Sequence, residues 1–552
     1  MRKHDDALVT RSRIAELAGV HRPAVTNWAA RYPDFPQAVD SRTTATGKAD
    51  LFRADEIAAW LRKRRIPAPA LRDGELPGTT YGDRFLAALD HTHRPSPMTV
   101  VSRLLEERGG LRRHDHLDLL IALVYLYGGG AADFDPRERP WVTQNWSRLR
   151  DLLVHDGVWP PRQLDGRGDV TSTQRIEQVL RATVPVLGEA SWDRESAAEA
   201  FDHLVELRME VEERAGGILT PPSLRRLMAG LLPGAGPVLD PYCRTGELLE
   251  ACVVADRGRD GEEGGGADTT GTEVLGVSED EDTAALARMR LRVRGVDPEL
   301  REWGALPLPS GSPGERRFAR VATNPPFNRK AGSRGWDPRA LRYGVPPANN
   351  GNFVWLQAIL STLAPEGRAA VLMPDIAAQS TSPAEREIRR HMIEDGAVEA
   401  LIALPAQLFG RATGVRAMLW LLTAPTGRGD EVLFVDAESL GTMKSRVRRE
   451  LSRDDVDTLI DTCDRWRAAR AAGEPFPGRK GFSVSVPVAE IARHGHVLTP
   501  ALYVPWDVTP RHGPAGRETV DRLIAELDAL DGAARLADER AARSLRTWRE
   551  RR

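Results

Sequence analysis

The stretch Pro237-Val238-Leu239-Asp240-Pro241-Tyr242-Cys243-Arg244-Thr245-Gly246 decides the fold. Val238 and Leu239 read as a buried strand and Asp240 closes it. Thr245 and Gly246 turn the chain into a helix whose apolar positions are Leu248, Leu249, Ala251 and Val253. In an open parallel sheet, ligands bind outside the carboxyl ends of the strands, where N–H groups at a helix start are free. The pattern recurs downstream. Residues 273–277 read as a second strand, followed by a helical stretch with Ala285, Leu286, Met289, Leu291 and Val293 at its apolar positions. Residues 319–323, 369–374, 398–404 and 432–435 read as further strands, and 384–394 as a helix. This alternation predicts an α/β domain with a mainly parallel sheet.

Asn324-Pro325-Pro326-Phe327 then falls at the carboxyl end of the strand 319–323. An asparagine amide oxygen accepts one hydrogen of an exocyclic amine. The Pro325 carbonyl can accept the other, because consecutive prolines hold the chain extended and rigid. With both hydrogens held, the nitrogen lone pair is free to meet an electrophilic methyl group. Phe327 offers a flat apolar face on which an extruded base can stack. In isolation Asn-Pro is also a common start of a plain turn.

Taken in this order, the two motifs resemble those of N6-adenine DNA methyltransferases, and most closely the modification subunit of type I restriction systems. The resemblance runs over roughly residues 80 to 530. Gly217-Ile218-Leu219-Thr220-Pro221-Pro222-Ser223 looks like the family's Thr-Pro segment, which closes over the methionine end of S-adenosylmethionine. Residues 342–347, 351–357, 404–409 and 495–500 also fit the family. The resemblance implies a Rossmann-like domain that uses S-adenosylmethionine to methylate a flipped adenine of double-stranded DNA. It assigns Asn324, Pro325, Pro326 and Phe327 to catalysis. Thr220, Pro221, Asp240, Cys243, Thr245, Gly246, Ser278 and Glu279 fall to the cofactor. It implies a separate specificity subunit and a restriction subunit as partners, leaving open whether the N-terminal segment replaces or supplements the specificity subunit, and direct transfer needs no metal.

Three positions depart from the family pattern. Arg244 stands where the family has a glycine, Ser278 where it has an acidic residue for the ribose hydroxyls, and Gly304-Ala305 where relatives often carry Asp. Glu279, one residue on, reaches the ribose place only if the strand end shifts.

The N-terminal segment adds a second theme. Residues 1–65 hold 13 Lys/Arg against 8 Asp/Glu, an excess of five, while the 552-residue chain carries a net charge of -2. Ile14, Leu17 and Ala18 make a short apolar face, Gly19-Val20 a turn, and Val25 and Trp28 belong to a second helix. Arg22, Thr26, Asn27 and Arg31 are left on its exposed side. This reads as a winged helix-turn-helix, with a later helix over 55–61, and the residues on the second helix are candidates for base contacts. Arg329 and Lys330, with Arg334, Arg339 and Arg342, are candidates for phosphate contacts just after the catalytic loop.

Composition sets the remaining frame. Domains are expected at 1–65 (helix-turn-helix), 66–79 (a Pro/Gly-rich linker), 80–215 (helical) and 216–440 (methyltransferase). Residues 441–552 would end in an amphipathic helix bearing Val520, Leu523, Ile524, Leu527 and Leu530. Three cysteines make no disulfide framework, and the pairs His114/His116 and His494/His496 lack zinc-site partners, so they read as surface or turn residues. With no signal peptide and no spanning apolar stretch, a cytoplasmic protein is expected. Three functions stay open: a DNA adenine-N6 methyltransferase, a cofactor-impaired DNA-binding relative acting in assembly or regulation, and a methyltransferase of protein glutamine amides.

Overall fold

The computed structural model describes residues 8–44, 47–67, 78–93, 95–107, 109–131, 134–158, 170–212, 219–262, 272–302, 317–328, 341–410, 415–505, 525 and 529. The chain begins with β1 (Leu8–Thr10), α1 (Arg11–Ala18), α2 (Arg22–Arg31), β2 (Asp40–Thr44), β3 (Gly47–Arg53), α3 (Ala54–Arg62) and α4 (Tyr81–His93). The Thr10 hydroxyl caps α1 by accepting from Arg13 N at 3.3 Å, and Gly19 ends that helix at φ 65°, a left-handed turn suited to glycine. β3 pairs antiparallel with β1 and β2. Ile14, Leu17, Val25, Phe52, Ile57 and Trp60 form one core, and Phe85 of α4 is part of it. So α4 packs with the N-terminal body, although a boundary at residue 80 would assign it to the helical region. The ends of the expected linker also close on each other: Ile66 N donates to Thr79 O and Tyr81 N to Arg64 O, both at 2.9 Å.

Six helices follow: α5 (Pro97–Glu106), α6 (Arg113–Tyr127), α7 (Pro140–Thr143), α8 (Trp146–His155), α9 (Val170–Leu187) and α10 (Arg194–Glu212). Residues 115–127 of α6 are all buried, as expected of a helix enclosed on every side. This overturns the surface reading of His114 and His116. Both lie in α6, His116 is buried, and His114 Nδ1 stands 3.1 Å from Asp118, which pairs with Arg208 of α10 at 2.5 Å. A buried helix needs such pairing wherever it carries a polar group.

The third body begins with α11 (Pro222–Gly230), β4 (Val238–Asp240), α12 (Glu247–Glu262), β5 (Val274–Ser278), α13 (Glu281–Val293), β6 (Glu299–Glu302) and β7 (Phe318–Thr323). It continues with α14 (Asn352–Thr362), β8 (Leu363–Pro374), α15 (Ile376–Gln379), α16 (Pro383–Glu394), β9 (Val398–Ala403), β10 (Ala417–Thr423) and β11 (Glu431–Asp436). A small hairpin, β12 (Thr442–Met443) and β13 (Arg449–Glu450), leads to α17 (Arg453–Ala472), β14 (Ser483–Pro487), α18 (Val488–Arg493) and α19 (Pro500–Tyr503).

Nine strands make one sheet in the order β14-β11-β9-β10-β8-β7-β4-β5-β6. β6, β5, β4, β7 and β8 are parallel; β10 runs antiparallel between β8 and β9, and β14 is an antiparallel edge. The sheet therefore does not end at residues 432–435, and its edge strand comes from the region after 440. Successive residues on a strand face opposite sides. Val238, Ala370 and Leu372 accordingly enter one core, and Leu239, Ala369 and Val371 the other. α13 also works on two sides: Ala287 and Leu291 pack toward the sheet, while Leu286, Met289 and Val293 join the core of the helical body. Among the described residues no helix is long and apolar enough to cross a membrane.

Candidate functional site

The strand order reverses between β4 and β7: from β4 the chain winds outward through β5 to β6, then returns to β7 on β4's other side. Such a switch point opens a crevice at the carboxyl ends of the two strands. Here those ends are Asp240 and Asn324, so the turn after β4 and the Asn-Pro-Pro-Phe loop lie side by side.

The turn after β4 is fixed by its backbone. Asp240 Oδ1 accepts from Tyr242 N at 3.0 Å, Cys243 N donates to Val277 O at 2.8 Å, and Gly246 N donates to Cys243 O at 2.8 Å. Gly246 has φ 75°, and a Cβ there would stand 3.1 Å from Ala287, so both backbone shape and close approach to α13 call for glycine. Cys243 is buried, and its thiol is pushed up by burial, with Asp240 and Glu247 adding to the effect. It is a packing residue rather than a nucleophile. Thr245 is buried too; its hydroxyl donates to Glu247 Oε2 and accepts from Arg290 Nη1, each at 3.0 Å.

Behind this turn lies a buried charge network absent from the sequence reading. Arg290 of α13 stands 2.9 Å from Asp202 of α10, 3.7 Å from Glu250 and 3.8 Å from Glu247 of α12. Burial alone would raise the Glu247 carboxyl, but Arg290, Arg225 and Arg244 together hold it below its ordinary range. Asp240 goes the other way: full burial, with Glu247 nearby, pushes it up to about 7 against Arg244 and the Tyr242 N–H.

The Asn-Pro-Pro-Phe loop is held mainly by neutral groups. Asn324 is buried, and its Nδ2 donates to the Thr220 hydroxyl at 3.2 Å, which leaves Oδ1 as the side chain's acceptor. Thr220, expected at the cofactor, thus orients the Asn324 amide. Its own N–H donates to Glu247 at 3.3 Å and its carbonyl accepts from Arg225 at 2.6 Å, which ties the Thr-Pro segment to both motifs. Pro325 is buried; Pro326 and Phe327 are half-buried, with Phe327 against the core below the sheet. Asn328, at φ 55°, ends the loop through a reciprocal pair with Asn352: Asn328 N donates to Asn352 Oδ1 at 3.0 Å and Asn352 Nδ2 to Asn328 Oδ1 at 2.9 Å.

At the end of β5 the two candidates separate. Ser278 is buried, and its hydroxyl is spent in its own turn, donating to Asp280 O at 2.9 Å and lying 2.5 Å from Thr283 Oγ1. Glu279 is exposed and accepts from the Tyr242 hydroxyl at 2.6 Å. Arg244 is half-buried beside Tyr242, 5.3 Å from its ring, and donates Nη2 to the Asn324 carbonyl at 3.4 Å.

A groove of about 460 Å³ adjoins this centre, lined among others by Glu206, Thr220, Pro221, Arg225, Phe409 and Arg448. On α2, Thr26, Asn27 and Arg31 are exposed, while Val25 is buried beneath them. Arg22 opens that helix. Arg329, Lys330, Arg334, Arg339, Gly304, Ala305 and the expected terminal helix with Val520, Leu523, Ile524, Leu527 and Leu530 lie outside the described residues. Arg342 is described, and pairs with Asp395 at 2.9 Å.

The N-6 DNA Methylase family matches residues 194–509, more than half of the chain, and the chain belongs to that family. It is 32% identical over 322 residues to the methylase subunit of the type I restriction enzyme HindI of Haemophilus influenzae, across 57% of this chain and 69% of that one. To the MjaIX methylase subunit of Methanocaldococcus jannaschii it is 29% identical over 312 residues, and spans only 53% of that subunit's length. It shares its fold with the type I restriction-modification methyltransferase subunit of Streptococcus thermophilus: TM-score 0.55 at 17% identity, over 74% of this chain and 98% of that one.

Proposed function

We propose that this chain is an S-adenosylmethionine-dependent DNA adenine-N6 methyltransferase, the modification subunit of a cytoplasmic restriction-modification or phage-defence assembly. The observation that carries this is the Asn324 amide, buried at the switch point beside the β4 turn, with its Nδ2 bonded to Thr220 and its oxygen left to accept. When bound, the cofactor supplies a methyl group on an electrophilic sulfonium. Asn324 Oδ1 and the Pro325 carbonyl take the two amine hydrogens of a flipped adenine, Pro326 stiffens the loop, and Phe327 stacks on the base. The groove beside Thr220 and Phe409 has the size of a small-molecule site.

On the cofactor side, Glu279 rather than Ser278 takes the ribose hydroxyls, because Glu279 is exposed while Ser278 is fully buried and its hydroxyl is bonded within its own turn. Asp240, Gly246 and the Thr220-Pro221 segment frame the methionine end. The N-terminal body, residues 8–93, serves as a DNA-binding module of the helix-turn-helix kind, with Arg22, Thr26, Asn27 and Arg31 on the helix entering the major groove. Arg329 and Lys330 contact phosphates. A specificity subunit and a restriction subunit are the protein partners.

The test is incubation of the full chain, alone and with a co-expressed specificity subunit, with double-stranded DNA and methyl-labelled cofactor. N6-methyladenine is then read by mass spectrometry of the digested DNA. Label in adenine is the expected result. Calorimetry that detects no cofactor binding at millimolar concentration would instead leave the non-catalytic DNA-binding reading, which the occupied Ser278 hydroxyl and Arg244 in the glycine's place motivate.

A further inference from the structure

Arg244 is the one departure in the cofactor turn that the proposed reaction does not yet use, and three observations define its surroundings. The backbone on either side of it is pinned, by Cys243 N on Val277 O and by the Thr245 hydroxyl between Glu247 and Arg290. Its guanidinium therefore swings from a fixed base across to the neighbouring strand end. There Nη2 reaches the Asn324 carbonyl at 3.4 Å, leaving the Pro325 carbonyl, the second amine acceptor, untouched. The other terminal nitrogen, Nη1, is buried and has no hydrogen-bond acceptor among the described residues.

A buried guanidinium N–H without an acceptor is costly, and the ligand that best offsets it is a carboxylate, which guanidinium groups grip in a planar, charge-assisted geometry. S-adenosylmethionine carries a single anionic group, the carboxylate of its methionine half. On the cofactor reading proposed above, the turn that bears Arg244 is the one that faces this half. The nearby carboxylates of Asp240 and Glu247 feel the Arg244 charge, but neither accepts a hydrogen bond from Nη1. Asp240 is bonded to the Tyr242 N–H, and Glu247 to Thr220 N and the Thr245 hydroxyl.

We propose that Arg244 is a cofactor-binding residue that takes the methionine carboxylate through Nη1 while Nη2 holds the Asn324 carbonyl. One guanidinium then links an occupied cofactor site to the catalytic loop. This replaces close backbone approach at a glycine with a charged grip, and it makes binding depend on the amino-acid half of the ligand. The proposal rests on the cofactor reading above.

The experiment titrates the full chain with S-adenosylhomocysteine, which has the carboxylate, and with 5′-methylthioadenosine, which lacks the amino-acid half. Wild type, Arg244→Gly and Arg244→Lys are compared by calorimetry, with melting temperatures confirming that each is folded. Affinity for S-adenosylhomocysteine is expected to fall about tenfold or more in both variants, and that for methylthioadenosine to change less than about twofold. Equal loss of both ligands would reduce Arg244 to shaping the turn and overturn the proposal. So would unchanged or tighter binding of S-adenosylhomocysteine, which would mark the guanidinium as an obstruction. A wild-type chain that binds neither ligand would overturn the methyltransferase reading itself, and this proposal with it.

Discussion

The two loops at the switch point are built from different materials. The Asn-Pro-Pro-Phe loop is held mainly by prolines and neutral amide and hydroxyl bonds, Asn324 to Thr220 and Asn328 to Asn352, with Arg244 as a charged contact. The turn after β4 stands on buried charges, Asp240, Glu247, Glu250 and Asp202 set against Arg290, Arg225 and Arg244. Neutral bonds fix a geometry whatever the pH, whereas buried charges depend on protonation and on each other. On the proposed reading, the half that would grip the base is the more rigid one, and the half that would meet a charged cofactor is electrostatically adjustable. Arg244, the departure in the β4 turn, falls in the adjustable half.

The sharpest separation comes from Asn324→Ala. Methylation should fall by about a thousandfold while cofactor affinity stays within about twofold, measured by labelled-methyl transfer and calorimetry. Residual activity near wild type would show that the two loops do not divide the work this way. Arg290→Met attacks the other side by stranding Glu247 and Glu250 without their shared cation. Unfolding in denaturant should then show a loss of about 3–5 kcal/mol. At the end of β5, Glu279→Gln should weaken cofactor binding about tenfold, but Ser278→Ala should leave it nearly unchanged. The reverse result would return the ribose contact to Ser278.

The smallest effect is the dependence on pH. Asp240, raised to about 7 by burial, is protonated in the folded chain where an unfolded aspartate is already ionised. Its contribution to stability is therefore full below the ordinary carboxylate range and is lost as pH rises through about 7. A cofactor bearing cationic groups favours the ionised form, so its affinity should weaken a few-fold as pH falls from about 7 to 6. Asp240→Asn should flatten both trends, and an unaltered profile in that variant would move the titration to another group.

Much of this plan was legible in the chain. Strands β4, β5, β7, β9 and β11 are short apolar runs buried on both faces, and such runs announce themselves. β6, Glu299-Leu300-Arg301-Glu302, was missed because an edge strand carries polar residues. β14, Ser483–Pro487, alternates Ser and Val, a strand signal that was there to be read but is only five residues long and ends in proline. The apolar run 417–423 could have been found, but its antiparallel insertion between β8 and β9 is a property of the sheet and not of the run. In the site, the catalytic loop and the β4 turn were visible as contiguous motifs. The bond from Asn324 to Thr220 and the ion pair of Arg290 with Asp202 were not, since each joins residues far apart in sequence. That Ser278 is buried and bonded in its own turn while Glu279 is exposed was not legible either, since spacing alone carries no such information.

The two-sided packing of α13 bears on how the molecule comes apart. One face of that helix belongs to the sheet's core and the other to the helical body's, and Arg290 is shared between them. Neither body can shed the helix without baring an apolar face and stranding buried acids. The cofactor turn, whose Gly246 packs on Ala287 of the same helix, inherits that bond. The helical body and the sheet accordingly form one cooperative unit, and a partner that strains the first is felt at the second.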